Sequence, residues 1–170
     1  MPQRLRRIRI VLYVFLTGLI LSGITVFPLT WELRVLCSWA GVPESAGLQD
    51  LTGLQHWLAY VREGLTYNDQ IYPFLAYGTD WLAFGHLAIA VFVFGAWLDP
   101  VRNSYVISAA MVACLMVIPL ALVCGQIRGI PFNWRLIDCS FGLFGIIPLL
   151  YVRKQIRWIA ENSSQLLRAG

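Results

Sequence analysis

Three ionisable side chains lie within or at the ends of long apolar runs, and they are the residues best placed to do chemistry. They are Asp80, His86 and Asp138. An ionisable group inside a membrane is costly, so each is a functional candidate. In a catalytic interpretation, His86 donates or accepts a proton and one of the two aspartates orients it.

Structural roles can also account for these three residues, and the sequence favours such roles for most of the set. Asp80 can cap a helix, because an aspartate at a helix N-terminus accepts free backbone amides and suits the dipole. Asp138 can pair with Arg135 or Arg128. His86 can hydrogen-bond across helices.

The four cysteines offer thiol chemistry. Cys124 and Cys139 fall near the outer ends of two adjacent apolar runs, so the sequence predicts that one disulfide can join them in an oxidising periplasm. Cys114 falls in the middle of a run, where cysteine usually acts as a small hydrophobic core residue. Cys37 is the only cysteine in the long segment between the first two runs.

The histidines do not favour a metal or haem centre. His56 and His86 are the only two, and His56 falls on the polar side of a predicted surface helix, away from the bilayer. Haem with two histidine ligands would need both residues to face each other. Zinc meets the same objection, and the chain has no C-x-x-C or H-E-x-x-H spacing. We therefore predict no metal and no cofactor.

The composition indicates the kind of structure that must position these residues. Of the 170 residues, 58% are hydrophobic and 13% are charged, an apolar excess typical of an integral membrane protein. Basic residues lie at the ends of apolar runs and not on an aromatic-interleaved patch, so we expect no nucleic-acid partner. We predict an all-α four-helix membrane bundle, a single domain over residues 1–170, with spans at 10–30, 81–98, 105–124 and 136–152.

The distribution of basic residues predicts the orientation of the chain. Four arginines precede the first span and four basic residues follow the last, whereas the segment 31–79 holds only Arg34 and Arg62. Because cytoplasmic flanks carry the excess of lysine and arginine, both termini are expected in the cytoplasm. The expected location is a bacterial inner membrane, with residues 31–79 on its outer side.

The outer segment contains a helical pattern of its own. Apolar residues recur at spacings of three and four and predict an amphipathic helix at residues 48–65 on the outer membrane surface. These residues are Leu48, Leu51, Leu54, Leu58, Val61 and Leu65. Aromatic residues near the outer ends of the spans, among them Trp81 and Trp134, fit interfacial anchors.

Small residues predict how the spans pack. Asp138 shares a helical stripe with Gly142 and Gly145, and His86 shares one with Ala83 and Ala90. Small residues mark close helix contacts in bilayers. The sequence therefore predicts a compact bundle with a polar pocket that opens outward. We expect Asp80, His86 and Asp138 to line it, with Arg128, Arg135, Trp81 and Trp134 as binding residues.

Two resemblances accompany these patterns. The strings YPFLAYGTDWLAFGHL (72–87) and RGIPFNWRLIDCSFGLFGIIPL (128–149) resemble segments of small bacterial multi-pass membrane proteins with no assigned activity. That resemblance implies an inner-membrane setting and no catalytic residue. In architecture, the chain also resembles the quinone-linked disulfide-forming oxidoreductases, but their exposed C-x-x-C pair is missing here.

Three functions remain open on the sequence alone. The first is a non-enzymatic membrane component that binds a partner protein or a lipid through the surface helix and the polar pocket. The second is an enzyme or carrier that acts on an amphiphile, with His86 at the centre of its pocket. The third is a thiol-disulfide oxidoreductase, which needs an accessible and reactive thiolate.

Overall fold

The computed structural model describes the backbone of residues 2–169 and the side chains of residues 2–162, and within that part of the chain it contains no strand. The prediction of an all-α protein is confirmed. The helices are α1 (Pro2–Val26), α2 (Leu29–Trp39), α3 (Gly53–Ile71), α4 (Tyr77–Leu98), α5 (Ser104–Pro119), α6 (Gly125–Ile127) and α7 (Phe132–Ala169). Short 3-10 turns occupy Leu48–Asp50 and Pro73–Ala76, and a π-helical turn occupies Leu120–Cys124.

Four helical stretches are long and apolar enough to cross a membrane. They are Pro2–Val26, Pro73–Leu98, Ser104–Ile127 and Phe132–Asn162. The shortest has 24 residues, and at 1.5 Å per residue it extends about 36 Å, which exceeds the ~30 Å of a hydrocarbon core. The number of such helices agrees with the four predicted from the sequence.

The first of these helices differs from its predicted bounds at both ends, and a proline explains the earlier C-terminal end. α1 begins at Pro2, so it includes the four arginines, and it ends at Val26. Pro28 has no backbone N–H to donate and cannot continue a helical ladder. A separate helix, α2, begins just after it, with the amide of Glu32 donating to the Pro28 carbonyl at 2.9 Å.

The chain divides into two compact units. One comprises Met1–Gly18 and Ile89–Gly170, and the other comprises Leu19–Ala88. The division falls inside α1 and α4, each of which contributes to both units. We refer to them as the terminal unit and the central unit and describe each by itself.

The core of the terminal unit combines residues from α1, α4, α5 and α7. Its fully buried side chains include Ile8, Leu12, Ala96, Ile107, Leu149 and Val152. α5 and α7 approach each other closely at Gly142, where an added Cβ would overlap the backbone carbonyl oxygen of Cys114. Without side chains at such positions, two helix backbones can come into direct contact. Gly142 therefore permits this close contact of α5 with α7.

The helix that contains α5 changes geometry after Pro119. The π-helical turn follows directly, and α6 then ends in a Schellman motif. Gly129 has a φ of +71°, and the amide of Ile130 donates to the Gly125 carbonyl at 2.9 Å. A positive φ suits glycine, which has no Cβ. The chain thereby turns sharply into α7.

The main feature of the central unit is an antiparallel hairpin formed by α2 and α3. At its base, the Thr30 hydroxyl donates to Oδ2 of Asp69 at 2.9 Å. At its tip, Nε2 of Gln55 donates to the Ala40 carbonyl at 2.9 Å. α2 ends in a second Schellman motif, with Gly41 at a φ of +69°. Neither α2 nor this hairpin is predicted by the sequence pattern.

The helix of the outer segment has different bounds from the predicted 48–65. Leu48–Asp50 is a 3-10 turn, and α3 runs from Gly53 to Ile71. Leu58, in the middle of the apolar stripe, is buried beside α2, where Cys37 Sγ lies 3.7 Å from the Leu58 carbonyl oxygen. Leu54 remains 58% exposed. The stripe thus packs partly on α2 and leaves part of its surface uncovered.

Candidate functional site

Asp80 and Trp81, two of the predicted site residues, line one cleft at the start of α4. Its volume is about 310 Å³, and we call it the aromatic cleft. The lining residues are Phe27, Tyr77, Asp80, Trp81 and Phe84. Trp81 makes edge-to-face contacts with Tyr77, at 6.0 Å between ring centroids, and with Phe84, at 5.6 Å. The three rings in contact and Asp80 therefore line the same cleft.

The chemistry of the aromatic cleft suits a cation. Asp80 lies in the first turn of α4 and is exposed, and no described residue forms an ion pair with it. Aromatic faces carry a negative quadrupole potential that attracts ammonium groups. A carboxylate beside such rings adds a full negative charge. The cleft can therefore accept an amphiphile with a cationic head.

His86 is not among the residues that line the aromatic cleft. Its Nδ1 lies 2.9 Å from the carbonyl oxygen of Leu82, one turn earlier in α4. If Nδ1 carries the proton and donates it there, Nε2 of the neutral ring is left as an acceptor. A Cβ added at Gly23 would lie 3.0 Å from the His86 Cβ. His86 therefore marks a close crossing of α1 and α4 inside the central unit.

Arg135 supports the π-helical turn. Its Nη1 donates to the carbonyl of Leu122, within that turn, at 3.3 Å. The guanidinium also lies over the Phe132 ring, 5.3 Å from the centroid. The carbons of the side chain cover Gly125, where an added Cβ would lie 2.7 Å from Arg135 Cδ. The guanidinium thus donates to a carbonyl within the π-helical turn.

Asp138 is half-buried in α7, and Arg128 is exposed. Within the described side chains, no ion pair joins Asp138 to Arg135 or Arg128, so the pairing considered from the sequence is not formed here. Trp134 is half-buried and makes contacts of its own. The predicted pocket that gathers Asp138, Asp80 and His86 stays a prediction.

The four cysteines are all present as thiols. Cys124 is exposed and Cys139 is buried, and the disulfide between them stays a prediction. Cys37 is 1% exposed, enclosed between α2 and α3. Cys114 lies against Gly145 at the contact of α5 with α7. Since thiol exchange needs an accessible thiolate, Cys124 is the cysteine whose exposure suits it best.

A second candidate site, which no sequence pattern predicts, lies on the hairpin. Two cavities of about 430 and 610 Å³ share Arg34, Glu44 and Arg62, and we call them together the hairpin cleft. Glu63 and Tyr67 also line the larger cavity. Nη2 of Arg62 donates to the Pro43 carbonyl at 3.0 Å, which ties the loop after α2 to α3.

The charges of the hairpin cleft are not paired with one another. Among the described side chains, no ion pair joins Arg34 or Arg62 to Glu44 or Glu63. Groups of both signs therefore remain available to a ligand. In the sequence, the two arginines indicate only the topology. The sequence feature that could have indicated this cleft is a pair of helix-breaking residues, Pro28 and Gly41, which lie on either side of the short helix α2.

Together, fold and sites define an all-helical protein with four helices able to cross a membrane and a polar helical hairpin. No family model, curated protein or solved structure matches the chain. Within the described residues, no three His, Cys, Asp or Glu side chains are grouped closely enough to hold a metal ion.

Proposed function

We propose that this chain is a non-enzymatic, multi-pass protein of a bacterial inner membrane, which binds a partner polypeptide through the hairpin cleft. In this proposal, the four long apolar helices cross the bilayer, both termini lie in the cytoplasm, and the α2–α3 hairpin lies on the outer surface. The observation that carries the proposal is a cleft of mixed, unpaired charge on a hairpin fastened at its base and tip.

The two faces of the hairpin support an interfacial position. In α2, helical spacing places the apolar residues Leu29, Leu33 and Leu36 on one face of the helix. Arg34 and Ser38 lie on the other face and line the cleft. In α3, the exposed Leu54 belongs to an apolar stripe, whereas Glu63, Thr66 and Gln70 line the cleft. A helix with separate apolar and polar faces lies in the membrane interface with its polar face toward water. The cleft then faces the periplasm.

The residues in the cleft favour a polypeptide as the ligand. Arg34 and Tyr67 are exposed, and Arg and Tyr are over-represented among the residues that dominate binding energy in protein interfaces. The neighbouring glutamates can accept hydrogen bonds from a basic side chain of the partner. Complementary charge of both signs gives specificity and orientation to such a contact.

The experiment places a photocrosslinking amino acid at Tyr67 in growing bacteria. We expect one discrete adduct, identified by mass spectrometry, that becomes at least about tenfold weaker with Arg34→Glu, because like charges placed together cost several kcal/mol. Arg128→Glu is the matched control, since it makes the same charge reversal on an exposed residue outside the cleft. It should leave the adduct unchanged at equal protein abundance.

Two results would contradict the proposal. One is the absence of any discrete polypeptide adduct at Tyr67. The other is an adduct that Arg34→Glu and Arg128→Glu weaken to the same extent, since this would show a response to net charge and not to the cleft.

A second candidate function, binding or carrying of an amphiphile, is favoured by the aromatic cleft. Here a cationic head binds among the rings beside Asp80. A long-chain trimethylammonium compound, titrated below its micellar concentration into protein in maltoside detergent, should bind about five- to thirtyfold more weakly to Asp80→Asn. Asp50→Asn makes the same change at an exposed residue outside the cleft and should not alter binding. Equal affinity in both variants would remove this candidate.

A further inference from the structure

A third cleft lies in the terminal unit, where the beginning of α1 meets the end of α4. Its volume is about 450 Å³, and we call it the arginine cleft. It is lined by Pro2, Leu5, Arg6, Arg9, Ile10, Tyr13 and Trp97. Two guanidinium groups thus share a cavity with apolar and aromatic side chains.

Two hydrogen bonds hold one side of the arginine cleft in place. Nε1 of Trp97 donates to the backbone carbonyl of Arg9 at 3.1 Å. Nη2 of Arg9 donates to the carbonyl of Leu98 at 2.9 Å. Phe94 stacks on Trp97 with 5.6 Å between ring centroids. The indole and one guanidinium are therefore positioned before any ligand arrives.

The charge of the cleft is positive and uncompensated. None of its lining residues is acidic. Arg9 uses one of its five N–H donors on Leu98, and Arg6 is exposed with no ion pair among the described side chains. Arg4, two residues before Arg6, differs because it donates to Gln155 at 2.6 Å and covers the Trp158 ring at 3.8 Å. Arg6 and Arg9 are thus the arginines of α1 that offer donors inside a cavity.

The apolar lining continues along α1 from the two arginines. Ile10 is 54% exposed and Tyr13 is 59% exposed, and both lie farther along the helix than Arg6 and Arg9. A ligand that contacts the whole lining of the cleft needs an anionic group to bind the guanidinium groups and a hydrocarbon chain to pack on this apolar surface. Basic pockets at the ends of membrane helices bind anionic lipid headgroups in this manner.

We infer that the arginine cleft binds one anionic glycerophospholipid, whose phosphodiester contacts Arg6 and Arg9 and whose acyl chain lies along Ile10 and Tyr13. Planar guanidinium groups form paired, charge-assisted hydrogen bonds with phosphate oxygens. This inference does not depend on the proposed function, because the cleft and the hairpin belong to different units.

The test counts lipids bound to the purified full chain. Protein in mild detergent is titrated with phosphatidylglycerol, and the bound lipid is measured by native mass spectrometry. Arg6→Gln is compared with Arg7→Gln, which removes the same charge from the next residue of α1 but does not line the cleft. We expect one retained lipid in the wild type and in Arg7→Gln, and roughly five- to tenfold weaker retention in Arg6→Gln.

Further measurements distinguish binding of the lipid from binding of other anions. They also distinguish a loss of binding from a loss of folding. Phosphatidylcholine should bind at least fivefold more weakly than phosphatidylglycerol, and millimolar inorganic phosphate should not displace the lipid. Arg9→Gln should weaken retention as Arg6→Gln does, and an unchanged melting temperature of Arg6→Gln excludes misfolding. Equal losses in Arg6→Gln and Arg7→Gln, or displacement by inorganic phosphate, would overturn the inference.

Discussion

Gly142 gives the most direct test of the packing in the terminal unit. Replacing it with alanine places a Cβ onto the backbone carbonyl oxygen of Cys114. A backbone oxygen in α5 cannot rotate away as the end of a side chain can, so α5 and α7 must separate locally. Inserting a methyl group into a tightly packed contact costs about 1–3 kcal/mol.

The intrinsic preference of alanine for helix partly offsets this cost, by about 0.5–1 kcal/mol. Gly95→Ala provides the matched control, because Gly95 lies in the helical part of the same unit and no atom lies within 4 Å of its added Cβ. The offset is common to both variants. Their difference in unfolding free energy therefore isolates the overlap at Cys114, which we expect to be about 1–3 kcal/mol.

The assay is unfolding of the full chain by dodecyl sulfate in mixed micelles, followed by tryptophan fluorescence. Gly145→Ala adds an intermediate case, because its Cβ would lie 2.9 Å from the Cys114 Sγ, a side-chain atom that can move. We expect Gly95→Ala to be the most stable of the three variants, Gly145→Ala to be intermediate and Gly142→Ala to be the least stable. A Gly142→Ala variant within about 0.5 kcal/mol of Gly95→Ala would refute the α5–α7 contact.

Three further predictions concern contacts elsewhere in the chain. Arg135→Gln should lower the unfolding free energy by about 1–2 kcal/mol by removing the donor to the π-helical turn; Arg128→Gln, at an exposed residue, should change it by less than about 0.5 kcal/mol. Thr30→Val should remove the bond at the base of the hairpin, lowering the unfolding free energy by about 0.5–1.5 kcal/mol and increasing proteolysis at that base. In native protein, maleimide should label Cys124 quickly and Cys37 only after denaturation, as mass spectrometry of labelled peptides can measure.

The apolar runs predicted the number of long helices well, because a stretch able to cross a bilayer needs about 20 apolar residues and little else. The bounds were less predictable. The apolar character of the first run continues past Pro28, so the sequence pattern extended the span to residue 30, whereas backbone hydrogen bonding ends α1 at Val26. α2 was hidden in the same way, since its first residues, Leu29 and Thr30, fall inside the predicted span and the others follow directly.

The sites were harder to predict than the helices. Asp80 and Trp81 lie in one cleft because they are adjacent in α4, and their neighbours in that cleft, Tyr77 and Phe84, follow helical spacing. The hairpin cleft depends instead on tertiary pairing of α2 with α3, which no local period encodes. The role of Arg135 was also hidden, because the π-helical turn that it supports follows from local backbone geometry after Pro119.

The measurement that tests the account most directly is the side of the membrane on which each loop lies. Glu44→Cys and Arg102→Cys are each made in a Cys124→Ser background, and intact spheroplasts are treated with a membrane-impermeant maleimide. Glu44 lies in the hairpin cleft and Arg102 in the turn between α4 and α5. Our proposal predicts labelling of Glu44→Cys in intact cells and of Arg102→Cys only after permeabilisation. Labelling of Arg102→Cys but not of Glu44→Cys in intact cells would contradict it.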